Sequence, residues 1–320
     1  MQKVKGHLSK KYRLFDLEDL SGHIGNEKHD NMQQFEKCLS TNEKIILYHS
    51  ENIDFYNTRN IVQLSSLIND NLDKICVVAH GVNKNFPFPF VNHFDFWIEI
   101  KNRNNLVPVF DHSKDKSKDF LLTYRRQTDA RSQLRKMLEH KGYLENSVYS
   151  FIEGENVRHL PAEYEHEKFI DPEFKKQHEY HEPAIWNIIP KQFNGTKFSI
   201  VPETVETNNI FCLSEKTFKP IIAGHISVYL AGAGYLKYLR SLGFKTFSNY
   251  IDESYDEELD LTKRIQKISD TCCQLLQTDH KKLYRDLASV TMHNRNLFFQ
   301  NEHLSKLNTH IINQVELYFK

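Results

Sequence analysis

Short runs of consecutive apolar residues alternate with segments of helical periodicity along most of this chain. Residues 44–50 and 74–81 are two such runs, each ending in polar residues, and a helix-like segment over 60–72 lies between them. Continuous apolar strands separated by about 25 residues, with a helical pattern between them, are typical of a parallel sheet that is buried on both faces. The pattern predicts a small α/β unit over residues 1–114.

The same alternation restarts after 111–119, a polar and charge-dense stretch that indicates a loop or an interdomain connection. Strands are predicted at 120–124, 148–152, 197–201 and 226–230, and helices at 131–143, 216–223, 235–242, 257–277, 281–299 and 305–318. Strands that alternate with helices predict a second βαβ-type sheet. Residues 156–194 lack this periodicity, which leaves an irregular functional insertion and a disordered segment as alternatives.

Composition limits the classes of function. The 320 residues carry 42 basic and 42 acidic side chains, and 39% of the chain is apolar. A zero formal charge argues against a protein that works by bulk attraction to nucleic acid or to a membrane surface. The length favours two domains.

Cysteine usage and the amino terminus bear on location. Five cysteines, an odd number that includes the adjacent Cys272 and Cys273, indicate a reducing compartment. Neither a leader of signal-peptide length nor a run of about 18 apolar residues is evident. We therefore expect a cytoplasmic protein without a membrane span.

The most distinctive segment runs from a strand near 198–202 through a polar loop to a helix that begins after Ser214. Ser214 is placed as the N-cap, with Glu215 and Lys216 in the first turn. A helix amino terminus presents free N–H groups and positive partial charge, which suits a phosphate, and Lys216 adds a full charge there. Glu215 could accept hydrogens from ribose hydroxyls. An ordinary capped helix explains the same residues.

A cluster of arginines follows the predicted strand at 120–124. Arg125, Arg126, Arg131 and Arg135 fall within one strand end and the start of the next helix. The planar guanidinium can hold two phosphate oxygens at once, so we favour a phosphate site here over a solvated basic face.

These segments resemble one known group of enzymes. A strand, a loop, Ser214-Glu215-Lys216, a helix and an Ala223-Gly224 turn are similar to the donor-binding segment of fucosyltransferase-type and exostosin-like glycosyltransferases, including uncharacterised phage and bacterial branches. In that group threonine stands where this chain has Ser214. The segment 120–144 resembles the start of their donor domain.

The resemblance covers residues 120 to about 245 and implies a GT-B architecture, an α/β fold of two Rossmann-like domains facing a cleft. It implies donor-diphosphate binding by Arg131, with Arg125 as a second candidate. The other donor-binding residues that it implies are Glu203, Ser214, Glu215, Lys216 and Thr217. The domains expected are 1–114 on the acceptor side, 115–300 for the nucleotide sugar, and a carboxyl-terminal helix over 301–320 that packs back on the first domain.

The amino-terminal part is similar to these enzymes in architecture only. An inverting transferase needs a base that deprotonates the acceptor hydroxyl, and a carboxylate at the carboxyl end of a strand could serve. Glu51 is the candidate, with Asp95 and His80 as competitors; each could equally be a satisfied polar group.

Several motifs bear on cofactors. No two aspartates stand at i and i+2, so the metal-binding Asp-x-Asp of another transferase class is absent and we expect neither metal nor cofactor. The sequence 178–181, His-Glu-Tyr-His, lacks zinc-site spacing. The pair Gly232 and Gly234 is only a weak signal of a nucleotide-binding turn.

The function expected is metal-independent, inverting transfer of a sugar from a nucleotide sugar to a hydroxyl. The acceptor could be a glycan or lipopolysaccharide precursor, a protein, or a hydroxymethylated DNA base, which a stripe of Lys3, Lys5, Lys10, Lys11 and Arg13 could contact. The alternatives are a non-catalytic nucleotide- or sugar-binding protein with a degenerate transferase fold and a phosphate-binding structural protein of a virion.

Overall fold

The computed structural model describes residues 2–17, 20, 28–41, 43–52, 66–83, 90–124, 127–153, 156–158 and 187–320. Two compact units divide the chain. Unit 1 comprises Met1–Ile98 and Asn301–Lys320, and unit 2 comprises Glu99–Gln300.

The strands are β1 (Arg13–Asp16), β2 (Ile45–Asn52), β3 (Ile75–His80), β4 (Val82–Asn83), β5 (Phe90–His93), β6 (Lys118–Thr123), β7 (Val148–Glu153), β8 (Asn156–Arg158), β9 (Thr196–Pro202), β10 (Ile210–Phe211) and β11 (Ser227–Leu230). The helices are Gln2–Leu8, Lys28–Leu39, Asp95–Arg103, Asp129–His140, Pro190–Gly195, Glu215–Ala223, Tyr235–Ser241, Leu261–Leu276, His280–Asp286, Ala288–Phe299 and Asn301–Tyr318.

Unit 1 is built on a parallel four-stranded sheet in the order β1-β2-β3-β5. Every residue of β3 is buried, which a strand between two neighbours requires when both sheet faces are covered. One core cluster consists of Leu17, Phe35, Ile45, Leu47, Ile68, Ile75, Val77 and Ala79. The spacing of the strand residues in this cluster, every second position, places them on one face of the sheet.

The carboxyl-terminal helix Asn301–Tyr318 belongs to unit 1. It contacts β5 and the helix Gln2–Leu8. The Tyr318 hydroxyl donates to the Leu72 carbonyl at 2.9 Å, and Ile311 and Val315 are fully buried. The chain therefore returns at its end to the unit in which it began.

The boundary between the units falls after Ile98, earlier than the boundary predicted after residue 114. The reason is that residues 99–117 belong to unit 2, where hydrogen bonds join them to later parts of that unit. The Val107 carbonyl accepts from Arg295, and the His112 Nε2 donates to the Ala223 carbonyl at 2.6 Å. The stretch 111–119 is largely irregular, as its polarity predicts, although β6 already begins at Lys118.

Unit 2 contains a five-stranded sheet in the order β11-β9-β6-β7-β8. The pairs β11/β9, β9/β6 and β6/β7 are parallel, and β8 adds an antiparallel edge. The chain runs from β6 to β7 on one side and from β9 to β11 on the other. Because parallel crossovers are almost always right-handed, the helices Asp129–His140 and Glu215–Ala223 belong on opposite faces.

Further helices cover each of these two. Leu261–Leu276 packs on Asp129–His140, and Ala288–Phe299 packs on Glu215–Ala223. The α/β class with parallel sheets predicted for both parts of the chain is confirmed.

Candidate functional site

The sequence-predicted donor residues that the structure describes lie at the carboxyl ends of strands β6 and β9 in unit 2. Strands β6 and β9 are neighbours, and the chain leaves them in opposite directions, so their carboxyl ends form a topological switch point. Open α/β sheets bind ligands in the crevice outside such a point. Helices Asp129–His140 and Glu215–Ala223 follow β6 and β9 and begin on this side, each under a hydroxyl N-cap, Thr128 and Ser214.

Arg131 lies in the first turn of the helix Asp129–His140. Its side chain is 1% exposed, and its Nη2 donates to the Pro202 carbonyl at 2.8 Å, at the end of β9. The guanidinium stands over the Tyr124 ring and has its Nε 3.8 Å from a Glu206 carboxylate oxygen. Burial lowers the pKa of Arg131, while Glu206 and Glu203 oppose that shift. The predicted phosphate-binding arginine is thus in place, but a protein carboxylate already faces it.

Glu203 is fully buried immediately after β9. Its carboxylate accepts from the Thr217 hydroxyl at 2.5 Å, the Ser214 hydroxyl at 2.7 Å and the Tyr235 hydroxyl at 3.1 Å. The backbone N–H groups of Ser214 and Thr204 donate to it as well, each at 3.3 Å. Glu203, Ser214 and Thr217 therefore form an internal cluster that fixes the helix Glu215–Ala223 against β9.

Glu215 and Lys216 begin that helix with little exposure, 12% and 17% of their side chains. The Lys216 ammonium contacts the Glu215 carboxylate at 2.5 Å. Burial disfavours the charge on Glu215, but Lys216 and Lys219 outweigh it and hold the pKa of Glu215 below its usual value. Burial lowers the pKa of Lys219 to about 8, against the pull of Glu215.

Thr204 brings the two predicted phosphate-binding cations together. The Arg131 Nη2 is 3.5 Å from the Thr204 hydroxyl oxygen, and the Lys216 Nζ is 3.4 Å from the same oxygen. Two cations that reach one oxygen atom could bind neighbouring oxygens of a single diphosphate.

Glu206 is a site residue that sequence reasoning did not select. Its carboxylate accepts from the Thr128 hydroxyl at 2.6 Å in addition to facing Arg131. Burial raises its pKa, and the Thr128 hydrogen bond and the Arg131 charge oppose this. Glu206 follows Glu203 by three positions in a polar loop, and nothing in that spacing singles it out.

Buried contacts hold the loop that carries Thr204 and Glu206. Arg264, 1% exposed, donates to the backbone carbonyls of Glu206 at 3.2 Å and Ala231 at 2.6 Å. A Cβ on Gly232 would stand 2.3 Å from the Thr207 carbonyl oxygen. Gly232 is therefore explained by the close approach of this loop.

The backbone N–H groups at and just after the Gly232-x-Gly234 segment already donate to protein acceptors. Gly234 adopts φ 88° as the N-cap of Tyr235–Ser241, and its N–H donates to the Asp256 carbonyl. The Asp256 carboxylate accepts from the N–H groups of Leu236 and Lys237. The weak nucleotide-turn signal thus has a structural explanation.

Five of the sequence-predicted residues fall wholly or partly outside the described structure, and two of them are Arg126 and Lys3, the latter by its side chain alone. Arg125 is outside the described residues. Glu51 belongs to β2 and Asp95 begins the helix Asp95–Arg103, but the side chains of both lie outside the described part. The motif at 178–181 also lies outside it.

His80 ends β3 in unit 1 beside two other buried histidines, His49 on β2 and His93 on β5. The His80 Nδ1 donates to the His93 carbonyl at 3.2 Å, and the His93 Nε2 donates to the His49 carbonyl at 2.5 Å. Burial is the largest cause that lowers the pKa of His49, to about 4, and that of His93. Unit 1 thus gathers imidazoles near the carboxyl ends of three adjacent parallel strands.

The basic stripe considered for DNA is partly neutralised within unit 1. The Lys5 ammonium stands 3.6 Å from the centroid of the Tyr48 ring. Lys11 pairs with Glu316, and Arg13 pairs with Glu43 at 2.8 Å.

Metal-ligand clusters and membrane-spanning helices are both absent from the described residues. No group of three or more His, Cys, Asp or Glu side chains among them is arranged to hold a metal ion. No helix within them has the length and apolar character needed to span a bilayer.

Comparison with known proteins gives no family assignment. No family model matches the sequence, and no curated protein sequence matches it either.

Proposed function

We propose that this chain is a nucleotide-sugar-dependent glycosyltransferase that binds its donor at the switch point of unit 2. The observation that carries the proposal is the convergence of Arg131 and Lys216 on the Thr204 hydroxyl. Both cations stand at the carboxyl edge of the sheet, where open α/β folds bind phosphorylated ligands. The resemblance of residues 120–245 to fucosyltransferase-type and exostosin-like enzymes supports the same assignment.

In this proposal the two cations stabilise the nucleoside diphosphate as it leaves. Charge develops on the leaving phosphate oxygens when the bond to the anomeric carbon breaks, and preorganised donors at that position lower the barrier. Such a mechanism needs no metal ion, because the protein itself supplies the positive charge.

The proposed reaction is inverting, in a GT-B arrangement with the acceptor bound by unit 1. The acceptor hydroxyl attacks the anomeric carbon and loses its proton to a base. Glu51 is the candidate, with Asp95 and His80 as competitors. The His80 Nδ1–H donates to a carbonyl, so the basic lone pair of a neutral His80 is on Nε2.

We propose a hydroxyl acceptor of the glycan, protein or modified-DNA class. The contacts of Lys5, Lys11 and Arg13 within unit 1 favour the first two classes over DNA.

A non-catalytic nucleotide- or sugar-binding protein is the second candidate. The observation that favours it is the enclosure of Arg131, which is 1% exposed and faces Glu206. A transfer assay separates the candidates, because only the enzyme moves sugar from the donor.

Thermal-shift screening against UDP, GDP, CMP and their sugars tests donor binding. A ligand at 100 times its dissociation constant should stabilise the fold by about 2.7 kcal/mol. We expect Arg131→Ala and Lys216→Met to lose the shift. Arg135→Ala is the matched arginine control, because Arg135 also stacks on an aromatic ring and pairs with a carboxylate, Glu139, on the same helix.

Lys237→Met, at an exposed first-turn lysine of another helix, controls for Lys216. The proposal is wrong if no nucleotide shifts the wild-type midpoint. It is also wrong if both site variants keep every shift that the two controls keep.

A further inference from the structure

Arg131 is the arginine to which the proposed site assigns the donor diphosphate, yet its side chain is 1% exposed. A phosphate oxygen cannot contact a guanidinium that solvent does not reach. Whatever binds to Arg131 must therefore first displace groups of the protein. Among the described residues, the negatively charged group facing Arg131 at 3.8 Å is the Glu206 carboxylate.

Several contacts build Glu206 into this position. The N-cap hydroxyl of Thr128 donates to the carboxylate at 2.6 Å, from the same helix turn that carries Arg131. Arg264 holds the backbone carbonyl of Glu206, and the Thr207 carbonyl fits against Gly232. The backbone of Glu206 is thus fixed, whereas one hydroxyl, that of Thr128, positions its side chain, which is 13% exposed.

A carboxylate and a phosphate are competing partners for one guanidinium, since both accept from its fork of N–H groups. They also repel each other when they share a site in a medium of low dielectric constant. An anion that enters beside Arg131 therefore gains less while Glu206 keeps its place.

We propose that Glu206 is an internal counter-anion that occupies the diphosphate position of the proposed site and must leave Arg131 before a donor binds. This inference rests on the proposed function, because it concerns the regulation of the same site. Glu206 then sets the minimum negative charge that a ligand needs in order to bind. Ligands with several phosphate charges, which also engage Lys216, displace it, whereas singly charged anions do not.

The test is isothermal titration calorimetry with inorganic pyrophosphate and with UDP and GDP. Wild type is compared with Glu206→Gln, which keeps an oxygen for the Thr128 hydroxyl but removes the charge. Glu206→Asp retains the charge on a shorter side chain. Glu139→Gln is the matched control, because Glu139 also pairs with an arginine of the helix Asp129–His140 but lies at its other end.

We expect Glu206→Gln to bind pyrophosphate roughly tenfold more tightly than wild type, a coupling of ordinary size. Glu206→Asp should fall between the two, and Glu139→Gln should match wild type. Thermal unfolding checks that each variant is folded.

Two outcomes overturn the inference in distinguishable ways. If Glu206→Gln binds pyrophosphate more weakly than wild type or equally well, Glu206 either assists binding or has no effect on it, and the inference is wrong. The proposed function is then intact, because wild type still binds the probe. No binding of any probe by wild type or by Glu206→Gln removes the proposed function and this inference together.

Discussion

Two carboxylates three positions apart in one loop have different environments. Glu203 is fully buried and receives five hydrogen-bond donors, from Thr204, Ser214, Thr217 and Tyr235. The Glu206 carboxylate accepts from one hydroxyl, that of Thr128, and lies 3.8 Å from the Arg131 Nε, which is too far for a hydrogen bond between them. We infer that Glu203 is a structural anchor and that Glu206 is the group able to move.

Replacing Glu203 by glutamine should destabilise unit 2 strongly. Each oxygen of the Glu203 carboxylate accepts from one backbone N–H, that of Ser214 or that of Thr204, so whichever oxygen becomes the amide nitrogen leaves one of these N–H groups without its acceptor. We expect the free energy of unfolding to fall by about 2–3 kcal/mol, the cost of an unsatisfied buried polar group. Urea unfolding followed by circular dichroism measures this change.

Glu145→Gln is the control for Glu203→Gln, because Glu145 is exposed. A double-mutant cycle with Thr217→Val should give a coupling energy of about 0.5–3 kcal/mol, as residues in direct contact do. A loss below about 0.5 kcal/mol for Glu203→Gln, the size of an ordinary surface change, would contradict the anchoring role.

Local sequence identified some of these residues and missed others for a physical reason. Ser214 and Lys216 stand beside a helix start, where capping and first-turn charge are visible in a few consecutive letters. Tyr235 reaches Glu203 from 32 positions away, and Glu206 meets Thr128 from 78 positions away. Such contacts exist only once the strand order is known.

At the scale of the elements, the strands with neighbours on both sides were predicted, whereas β1, β5 and β8 at sheet edges were missed; the edge strand β11, all four residues of which are buried, was predicted. The continuous apolar runs of β2 and β3, and of β6 and β9, mark inner strands that are covered on both faces. Strands β1, β5 and β8 lie at sheet edges and contain Arg13, Asn92 and Arg158. An edge strand needs less apolar surface, so its sequence carries a weaker signal.

Helix ends show a similar limit. The single helix predicted over 281–299 is two helices, His280–Asp286 and Ala288–Phe299. Residues 156–194, predicted to be irregular, include β8 and the helix Pro190–Gly195. Both elements are short, and short elements offer too few positions for a period to emerge.

A pair of buried histidines joins several elements of unit 2 near the amino-terminal ends of its strands, whereas the site lies at their carboxyl ends. The rings of His112 and His225 are 4.8 Å apart, and Tyr284 stacks on His112. The His225 Nε2 donates to the Thr196 carbonyl at 3.0 Å, and its Nδ1 accepts from Ser199 at 2.7 Å. The pair thereby ties the starts of β9 and β11 to the segment before β6.

This pair should make the stability of unit 2 fall at acid pH. Burial, assisted by the Lys116 charge, lowers the pKa of His112 to about 4, and burial with the charge of His112 lowers that of His225. The unfolded chain takes up a proton near pH 6.5, before the folded chain does, so stability is present above pH 6.5 and is lost as the pH falls toward 4. For His112 the loss at pH 5 is about 2 kcal/mol.

His112→Gln isolates this contribution, because glutamine can still donate to the Ala223 carbonyl but does not titrate. Urea unfolding at pH 7.5 and pH 5 should show a smaller loss for the variant than for wild type. Parallel losses in the two proteins would show that His112 does not contribute to the acid sensitivity.

At the scale of the whole molecule, two α/β units carry different polar equipment. Unit 2 has arginine and lysine at the carboxyl edge of its sheet, with carboxylates that orient them. Unit 1 has three buried histidines near the carboxyl ends of its own strands, and Glu51 lies on β2 of the same unit. In the transferase that we propose, the first set stabilises the leaving group and the second removes the proton, so variants in the two units should fail in different ways.

We expect Glu51→Gln or His80→Gln, whichever removes the base, to lower the transfer rate by about 10²–10⁴-fold. The nucleotide-induced thermal shift should be retained, because donor binding depends on unit 2. Lys216→Met should instead lose the shift together with the transfer. The measurement is transfer of sugar to a panel of hydroxyl acceptors from the donor that the thermal screen identifies, at a donor concentration that saturates wild type. If both unit 1 variants keep the wild-type rate while Lys216→Met loses it, the base is neither of these residues and the division of labour between the units is wrong.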